Sequence, residues 1–129
     1  MYDRVKLMNS ILLVDDEKEA VEALKMFFDL RGTPCWVAGD GDEALKIVSE
    51  QKPDLVLLDI TLQGSRLSGF QVLQEAKKIL PSAKIFMVTG YSDETSHAKA
   101  KELGADGYLE KPLSAEKILQ TLKGTSGQA

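Results

Sequence analysis

The chain has 129 residues, of which 43% are hydrophobic, a proportion that fits one globular domain and excludes a disordered chain. Its 16 basic and 20 acidic residues give a net charge of −4, which argues against a nucleic-acid-binding surface. The single cysteine, Cys35, excludes an internal disulfide and favours a reducing compartment. No apolar run has the length of a transmembrane helix or a secretory signal, so a cytoplasmic location is predicted.

The first part of the chain alternates between strand-like and helix-like segments. Residues 11–14, ILLV, form a continuous apolar run, which is typical of a strand covered on both faces. Residues 15–32 carry apolar side chains at helical spacing, and Gly32 suits the end of that helix. Residues 33–38 predict a weaker strand, and Pro34 favours an edge position because it has no N–H to donate to a neighbouring strand.

A second helix and a third strand follow. Asp40 and Glu43 have the spacing of a capping box, which predicts a helix over residues 40–51. Residues 54–59, DLVLLD, predict an apolar strand that ends on a carboxylate, and a polar loop is predicted over 60–68. Because burying an unpaired carboxylate is costly, this terminal acid requires a partner or a function.

The rest of the chain continues the alternation. Pro81 and Gly104 suit helix ends, and Ser114 suits a helix start. The predicted elements are a helix over 69–80, a strand over 83–90, a helix over 92–105, a strand over 107–110 and a helix over 114–124. Strict alternation of strands and helices predicts an α/β domain with a parallel sheet, covered by helices on both faces and joined by right-handed crossovers.

Polar groups stand where the predicted strands end. They are Asp15 and Asp16 after the first strand, Asp59 at the end of the third, Thr89 at the end of the fourth and Lys111 after the fifth. In open α/β sheets, ligands bind beyond these carboxyl ends. Clustered carboxylates repel one another unless a cation compensates, and their hard oxygens suit Mg²⁺. A carboxylate can also act as a nucleophile and form an aspartyl phosphate, with a lysine and a hydroxyl binding the phosphoryl oxygens.

Each of these residues also has a purely structural interpretation. Asp15 and Asp16 could cap the first helix and complement its dipole. Asp59 could be a turn residue and Thr89 an ordinary strand residue. Lys111 could belong to a turn before a helix. Four strand ends that carry compatible groups to one edge nevertheless favour a shared site for phosphoryl chemistry.

Four segments stand in a characteristic order and spacing. They are ILLVDDE (11–17), DLVLLD (54–59), VTGY (88–91) and GADGYLEKP (104–112). Together they resemble the receiver domain of two-component response regulators of the chemotaxis-regulator type. The resemblance implies a flavodoxin-like, doubly wound fold, with a five-stranded parallel sheet in the order 2-1-3-4-5 flanked by five helices.

The resemblance also implies a role for each residue of the site. Asp59 would be the phosphoacceptor, and Mg²⁺ would be the cofactor. The implied metal ligands are Asp15, Asp16, Asp59 and the backbone carbonyl of Thr61. The implied phosphoryl-binding and switch residues are Thr89, Lys111 and Tyr108, with a cis bond between Lys111 and Pro112. The side chains of Thr61 and Tyr91 are expected to tune hydrolysis of the phosphoryl group.

The function that this implies is a phosphorylation-dependent switch rather than an enzyme. A histidine kinase, a phosphotransfer protein or a small acyl phosphate would be the donor. The face formed by helix four, strand five and helix five would then change its affinity for a downstream protein, a fused output domain or a second copy of the chain. Direct contact with nucleic acid or a membrane is not expected. The receiver would cover residues 10–124, between an extension over 1–9 and a tail or linker over 125–129.

One loop departs from the family pattern. Family members often have Asp-x-x-Met-Pro-x-x-x-Gly, whereas this chain has Leu62 and Gln63 in place of Met-Pro. Gly69 then lies ten residues after Asp59, two more than the common spacing. The longer loop is expected to alter kinase recognition or the lifetime of the phosphoryl group, without abolishing phosphorylation.

Two other functions fit part of the pattern. A phosphatase of the haloacid-dehalogenase type also uses a strand-end aspartate, a hydroxyl, a lysine and Mg²⁺. In that class the acidic pair follows the lysine, whereas Asp15 and Asp16 precede Lys111 here. Its general-acid aspartate, two residues after the nucleophile, is replaced by Thr61. A binding module that is never phosphorylated would not need the complete set of site residues.

The fourth predicted helix has few apolar residues. Ala98 and Leu103 form a thin stripe, which is typical of an exposed or movable helix. His97, the single histidine, is expected in a solvated position on this helix. Trp36 is expected to be a packing residue on the edge strand.

Overall fold

All five predicted strands and all five predicted helices are present in the computed structural model, which describes residues 10–90 and 94–125. The strands are β1 (Ile11–Val14), β2 (Cys35–Ala38), β3 (Leu55–Asp59), β4 (Lys84–Thr89) and β5 (Gly107–Glu110). The helices are α1 (Lys18–Leu30), α2 (Gly41–Gln51), α3 (Gly69–Ile79), α4 (Glu94–Glu102) and α5 (Ala115–Thr125). The expected extension over 1–9, most of the expected tail, the predicted start of α4 and Tyr91 lie outside the described residues.

The strands form one parallel sheet in the order β2-β1-β3-β4-β5, which confirms the predicted order. β2 is an edge strand, as Pro34 indicated. Ile11 pairs with both Cys35 and Leu55, and Asp59 at the end of β3 pairs with Val88 in β4. The register therefore brings the carboxyl ends of β1, β3 and β4 to one edge of the sheet, which is called the site edge below.

Alternate residues of each strand point to opposite faces of the sheet and build two separate core clusters. One cluster contains Leu12, Val56 and Ile85 and packs against α2, α3 and α4. The other contains Ile11 and Phe28 and packs against α1 and α5. Each fully buried side chain of this size contributes about 1.5–3 kcal/mol to folding. The continuous apolar runs of the strands thus follow from helices on both faces.

Three helices begin with side-chain caps, of which those at Asp40 and Ser114 were predicted and that at Ser68 was not. The Asp40 carboxylate accepts the N–H of Glu43 at 2.9 Å at the start of α2, and Glu43 accepts the N–H of Gly39 at 2.8 Å. Ser68 forms a complete capping box with Gln71 at the start of α3. The Ser114 hydroxyl accepts the N–H of Lys117 at 3.1 Å at the start of α5. These bonds fix where the chain turns from the sheet into each helix.

Two expectations about α4 are wrong. Its fully buried residue is Ala100, whereas Ala98 is exposed. His97 is not solvated: its ring is partly buried and stacks on Tyr108, with 3.6 Å between the ring centroids. The reason is the helical spacing, because His97, Ala100 and Leu103 follow one another at intervals of three residues and face the core together.

Trp36 is partly buried against the core cluster that contains Leu12, as a packing residue would be. Among the described residues, no helix is both long enough and apolar enough to cross a bilayer.

Candidate functional site

The three predicted acidic residues meet at the site edge. Asp15 and Asp59 are buried, with 6% and 4% of their surface exposed, and Asp16 is partly buried. One ligand atom from each lies within 4.8 Å of the others. Oxygen ligands at this spacing can bind a divalent cation of the hard type. The structure thus brings together the predicted acidic cluster.

Lys111 supplies a positive charge to this cluster. Its Nζ donates a hydrogen bond to Oδ2 of Asp59 at 2.7 Å and lies 3.6 Å from Oδ2 of Asp15. The backbone N–H of Lys111 donates to the carbonyl of Thr89 at 2.8 Å, which ties the lysine to the end of β4. The peptide bond between Lys111 and Pro112 is cis. One lysine faces three carboxylates, so the cluster keeps an excess of negative charge.

Burial and charge both shift the pKa values of Asp59 and Lys111. Burial raises the pKa of Asp59 and the charge of Asp15 raises it further, while hydrogen bonds from Lys111 and from the Thr61 backbone oppose the rise. Burial alone would lower the pKa of Lys111, but its bond to Asp59 and the neighbouring carboxylates raise it above the ordinary value. Lys111 therefore stays protonated beside Asp59.

Backbone amides hold each of the three carboxylates. Asp59 accepts the N–H of Thr61 at 3.0 Å, and Asp15 accepts the N–H of Glu17 at 2.8 Å. Asp16 accepts the N–H of Gln63 at 3.1 Å. Helix α1 begins after Glu17 without a side-chain cap. The interpretation of the acidic pair as helix caps is therefore wrong.

Asp59 lies in a cavity of about 270 Å³. The lining residues are Asp59, Ile60, Thr61, Thr89, Gly90, Ser96 and Lys111. Thr89 is 8% exposed, and it reaches this cavity because Asp59 pairs with its neighbour Val88 across the sheet. A cavity that holds a carboxylate, a lysine and a hydroxyl has the groups that bind a phosphoryl oxygen.

Ser96 lines the cavity although the sequence analysis did not single it out. It comes from α4, and no motif marks it, because a serine within a polar helix has no distinguishing pattern. The amide of Gln63 was also missed, since a backbone group carries no residue-type signal. The side chain of Thr61 is exposed beside the cavity, where water can reach it.

Tyr108 lies one strand away from the cavity. It pairs with Met87 across the sheet and packs against the core. Its hydroxyl and Nε2 of His97 are buried and have no hydrogen-bond partner among the described residues. The ring contact between the two side chains links β5 to α4.

Gly69 permits α3 to begin directly beside the backbone of Asp59. A Cβ on this residue would lie 2.4 Å from the carbonyl oxygen of Asp59 and 2.6 Å from that of Ile60. No side chain fits at such distances from backbone atoms. The loop after β3 therefore brings Gly69 back against the backbone of Asp59 and Ile60, and α3 begins there.

Comparison with known proteins agrees with this geometry. The family model for the response regulator receiver domain matches residues 11–123. The nitrogen assimilation regulatory protein NtrX of Azorhizobium caulinodans is 32% identical over 113 residues, which are 88% of this chain and 25% of that protein. The chain thus spans about a quarter of the length of this relative.

Two solved structures are also similar. A response regulator from Burkholderia pseudomallei, with a phosphorylated aspartic acid, a calcium ion and citrate, is 31% identical with a TM-score of 0.80, over 88% of this chain and 66% of that one. The receiver domain of NtrX from Brucella abortus is 34% identical with a TM-score of 0.78, over 88% of this chain and 95% of that one. The chain described here belongs to the response regulator receiver domain family.

Proposed function

We propose that this chain is a phosphorylation-dependent signalling switch in which Asp59 accepts a phosphoryl group from a histidine kinase, a phosphotransfer protein or a small acyl phosphate. The observation that carries the proposal is the position of Asp59: it is 4% exposed, it opens into a cavity, and Lys111 binds it at 2.7 Å. The relative from Burkholderia pseudomallei contains a phosphorylated aspartic acid.

The proposed step transfers phosphorus from nitrogen to oxygen. A carboxylate oxygen of Asp59 attacks the phosphorus of a phosphohistidine, and a P–O bond forms as the P–N bond breaks. The electron pair of the broken bond stays on the imidazole nitrogen, which takes a proton from water. Lys111 then pairs with a phosphoryl oxygen, and the Thr89 hydroxyl donates a hydrogen bond to another.

The acidic cluster fits a divalent cation, because it combines hard oxygen ligands with an excess of negative charge. We propose Mg²⁺, held by Asp15, Asp16, Asp59 and the backbone carbonyl of Thr61. When bound, Mg²⁺ neutralises charge on the carboxylates and on the transferring phosphoryl group. The calcium ion in the Burkholderia relative supports a divalent cation in this family.

Phosphorylation would bias the region from Thr89 to Tyr108. Attraction of the Thr89 hydroxyl toward the phosphoryl group vacates space that the ring of Tyr108 can occupy, and α4 adjusts with it. The face formed by α4, β5 and α5 would then change its affinity for a downstream protein, a fused output domain or a second copy of the chain. The greater length of NtrX makes a fused output domain a natural candidate.

Several finer assignments belong to the same proposal. The receiver covers residues 10–124, with 1–9 as an extension and 125–129 as a tail or linker. The side chains of Thr61 and Tyr91 tune hydrolysis of the phosphoryl group. The lengthened loop over 60–68 alters kinase recognition or the lifetime of the phosphoryl group, and deleting two of its residues would change the transfer or decay rate.

The proposal is tested by intact-mass measurement after incubation with Mg²⁺ and acetyl phosphate. One labile phosphate is expected on the wild type, with none on Asp59→Asn and none when a chelator is present. Asp42→Asn is the matched control, since this carboxylate is exposed and is not among the residues that line the cavity. An adduct of equal yield on Asp59→Asn would overturn the proposal.

A further inference from the structure

The lengthened loop over 60–68 contacts the start of α2, and the Ser65 hydroxyl is the loop side chain that bonds the backbone of that helix. Oγ of Ser65 accepts the N–H of Gly41 at 2.9 Å and donates to the carbonyl of Leu67 at 2.7 Å. The N–H of Gly41 belongs to the first turn of α2 and has no partner within its own helix. A side chain from a loop 24 residues later satisfies it.

Two further contacts hold the loop on either side of this hydroxyl. Leu62 is 7% exposed and joins the core cluster under α2 and α3. The Arg66 guanidinium binds the Asp42 carboxylate through two hydrogen bonds, at 2.6 and 3.1 Å. Both of these side chains are exposed, so this pair contributes little to stability. Ser65 and Leu62 therefore do most to fix the path of the loop.

The loop reaches the acidic cluster through the amide of Gln63. Asp15 and Asp59 each accept an N–H from the residue two positions later, a bond that their own local turns supply. Asp16 instead accepts its N–H from Gln63, 47 residues away, at 3.1 Å. Its orientation depends on where the loop runs.

We infer that the lengthened loop is a brace for Asp16, in which Ser65 fixes the loop to α2 and the Gln63 amide positions the carboxylate for the cation. The inference rests on the proposed function, because it assumes that Asp16 is a metal ligand. A carboxylate that is already oriented loses less rotational freedom when a cation binds. Ser65 is thus a positioning residue that raises Mg²⁺ affinity without touching the metal.

The test is a titration of the ¹⁵N-labelled full chain with MgCl₂, in which amide chemical shifts are recorded at each Mg²⁺ concentration. Ser65→Ala should weaken Mg²⁺ binding by about three- to tenfold, less than the roughly 10- to 100-fold effect of groups that bond a metal ligand directly, because Ser65 acts through the loop. The Gln63 amide should shift with Mg²⁺ in the wild type and lose that response in Ser65→Ala. A purely structural role of Ser65 would leave this response intact.

Ser68→Ala is the matched control. It makes the same chemical change in the same loop and removes the cap of α3, but it leaves the contact with α2 in place. Its Mg²⁺ affinity should equal that of the wild type. Gln63→Ala should also equal the wild type, because the backbone N–H remains.

The outcomes separate this inference from the proposed function. If Asp16→Asn loses Mg²⁺ binding while Ser65→Ala binds like the wild type, the brace is overturned and the metal site stands. If Ser68→Ala weakens binding as much as Ser65→Ala, general loosening explains the effect and the brace is again overturned. If the wild type does not bind Mg²⁺ at millimolar concentration, both are overturned. If Ser65→Ala lacks dispersed amide shifts, Ser65→Cys takes its place, because a thiol of similar size is only a weak hydrogen-bond acceptor, and weaker Mg²⁺ binding is again expected.

Discussion

The two regions that flank the site edge are held in different ways. The first, called the loop side, comprises the loop over 60–68 and the starts of α2 and α3. Here side-chain hydrogen bonds join the elements: Ser65 to α2, Ser68 to α3 and Gln63 to Asp16. Leu62 is buried beneath these bonds.

The second region, called the α4 side, comprises α4 and β5. In the described part of α4, Ala100 is the buried residue, so the helix buries little apolar surface. The Tyr108 hydroxyl and Nε2 of His97 are buried without a partner among the described residues. The start of β5 is held more firmly, because the Lys77 ammonium binds both Asp106, the residue before this strand, at 2.8 Å and the carbonyl of Ala83 at 2.9 Å.

In the proposed function, this difference would separate the binding of ligands from the response to them. Groups that must hold a cation need fixed positions, and the loop side provides them. An element that changes position should have little buried apolar surface to lose, and Ala100 is the buried residue in the described part of α4. The following four changes test this comparison, beginning with the largest expected effect.

The loop side should tolerate no added volume at Gly69. Gly69→Ala places a Cβ against the carbonyls of Asp59 and Ile60, so the backbone must shift. We expect a loss of about 1–3 kcal/mol in the free energy of unfolding and slower phosphorylation. Urea unfolding and acetyl phosphate labelling measure the two effects.

Gly124→Ala is the control, since nothing lies within 4 Å of a Cβ at this position in α5. It should be neutral or stabilising, because alanine favours the helix. Equal stability of Gly69→Ala and the wild type would contradict the tight packing of the loop side.

The charge held at the site edge should destabilise the protein when metal is absent. Because the pKa of Asp59 is raised in the folded state, its ionised form is less favourable there than in the unfolded chain. The penalty is therefore complete above the folded pKa and vanishes as the pH falls to the unfolded value of about 4. Asp59→Asn should raise the free energy of unfolding at pH 7 in chelator and give a smaller gain at pH 4.

Asp42→Asn is the control for that change. Its hydrogen bond with Arg66 lowers the pKa of Asp42, so its ionised form is favoured in the folded state. Asp42→Asn should therefore not raise the free energy of unfolding at pH 7. A loss of stability for Asp59→Asn at pH 7 would contradict the account of the cluster.

The sequence predicted the elements and the acidic cluster because both follow from residue type. Buried parallel strands are continuous apolar runs, and Asp59 interrupts such a run at its end. The orientation of α4 was not predictable, since Ala100 is a small residue and His97 counts as polar. The brace was hidden as well, because it depends on a backbone amide and on a hydroxyl, Ser65, whose partner is remote in sequence.

The α4 side should gain stability from the loss of one hydroxyl. Tyr108→Phe keeps the ring contact with His97 and removes a buried group that has no partner among the described residues. We expect a gain of about 1 kcal/mol in the free energy of unfolding, measured in urea without metal. Tyr108→Leu, which also removes the aromatic stacking, should not give this gain. A loss of stability in Tyr108→Phe would show that the hydroxyl is bonded.

The smallest effect concerns the contact that joins α4 to α3. The ammonium of Lys99 lies 4.7 Å from the ring centroid of Phe70. Lys99→Gln should cost about 0.5 kcal/mol, as expected for an exposed cation–π contact. Lys101→Gln removes the same charge from the same helix and serves as the control. A double-mutant cycle with Phe70→Leu measures the coupling energy between the two side chains. A coupling energy of zero would show that this contact does not help to hold α4 on α3.

The most direct measurement identifies the residue that carries the phosphoryl group. The full chain is incubated with Mg²⁺ and acetyl phosphate, reduced with borohydride, which converts an aspartyl phosphate into homoserine, and analysed by peptide mass spectrometry. The account predicts homoserine at position 59 and at no other aspartate. Homoserine at Asp15 or Asp16 would contradict it, and so would a chain that carries a labile phosphate but yields no homoserine.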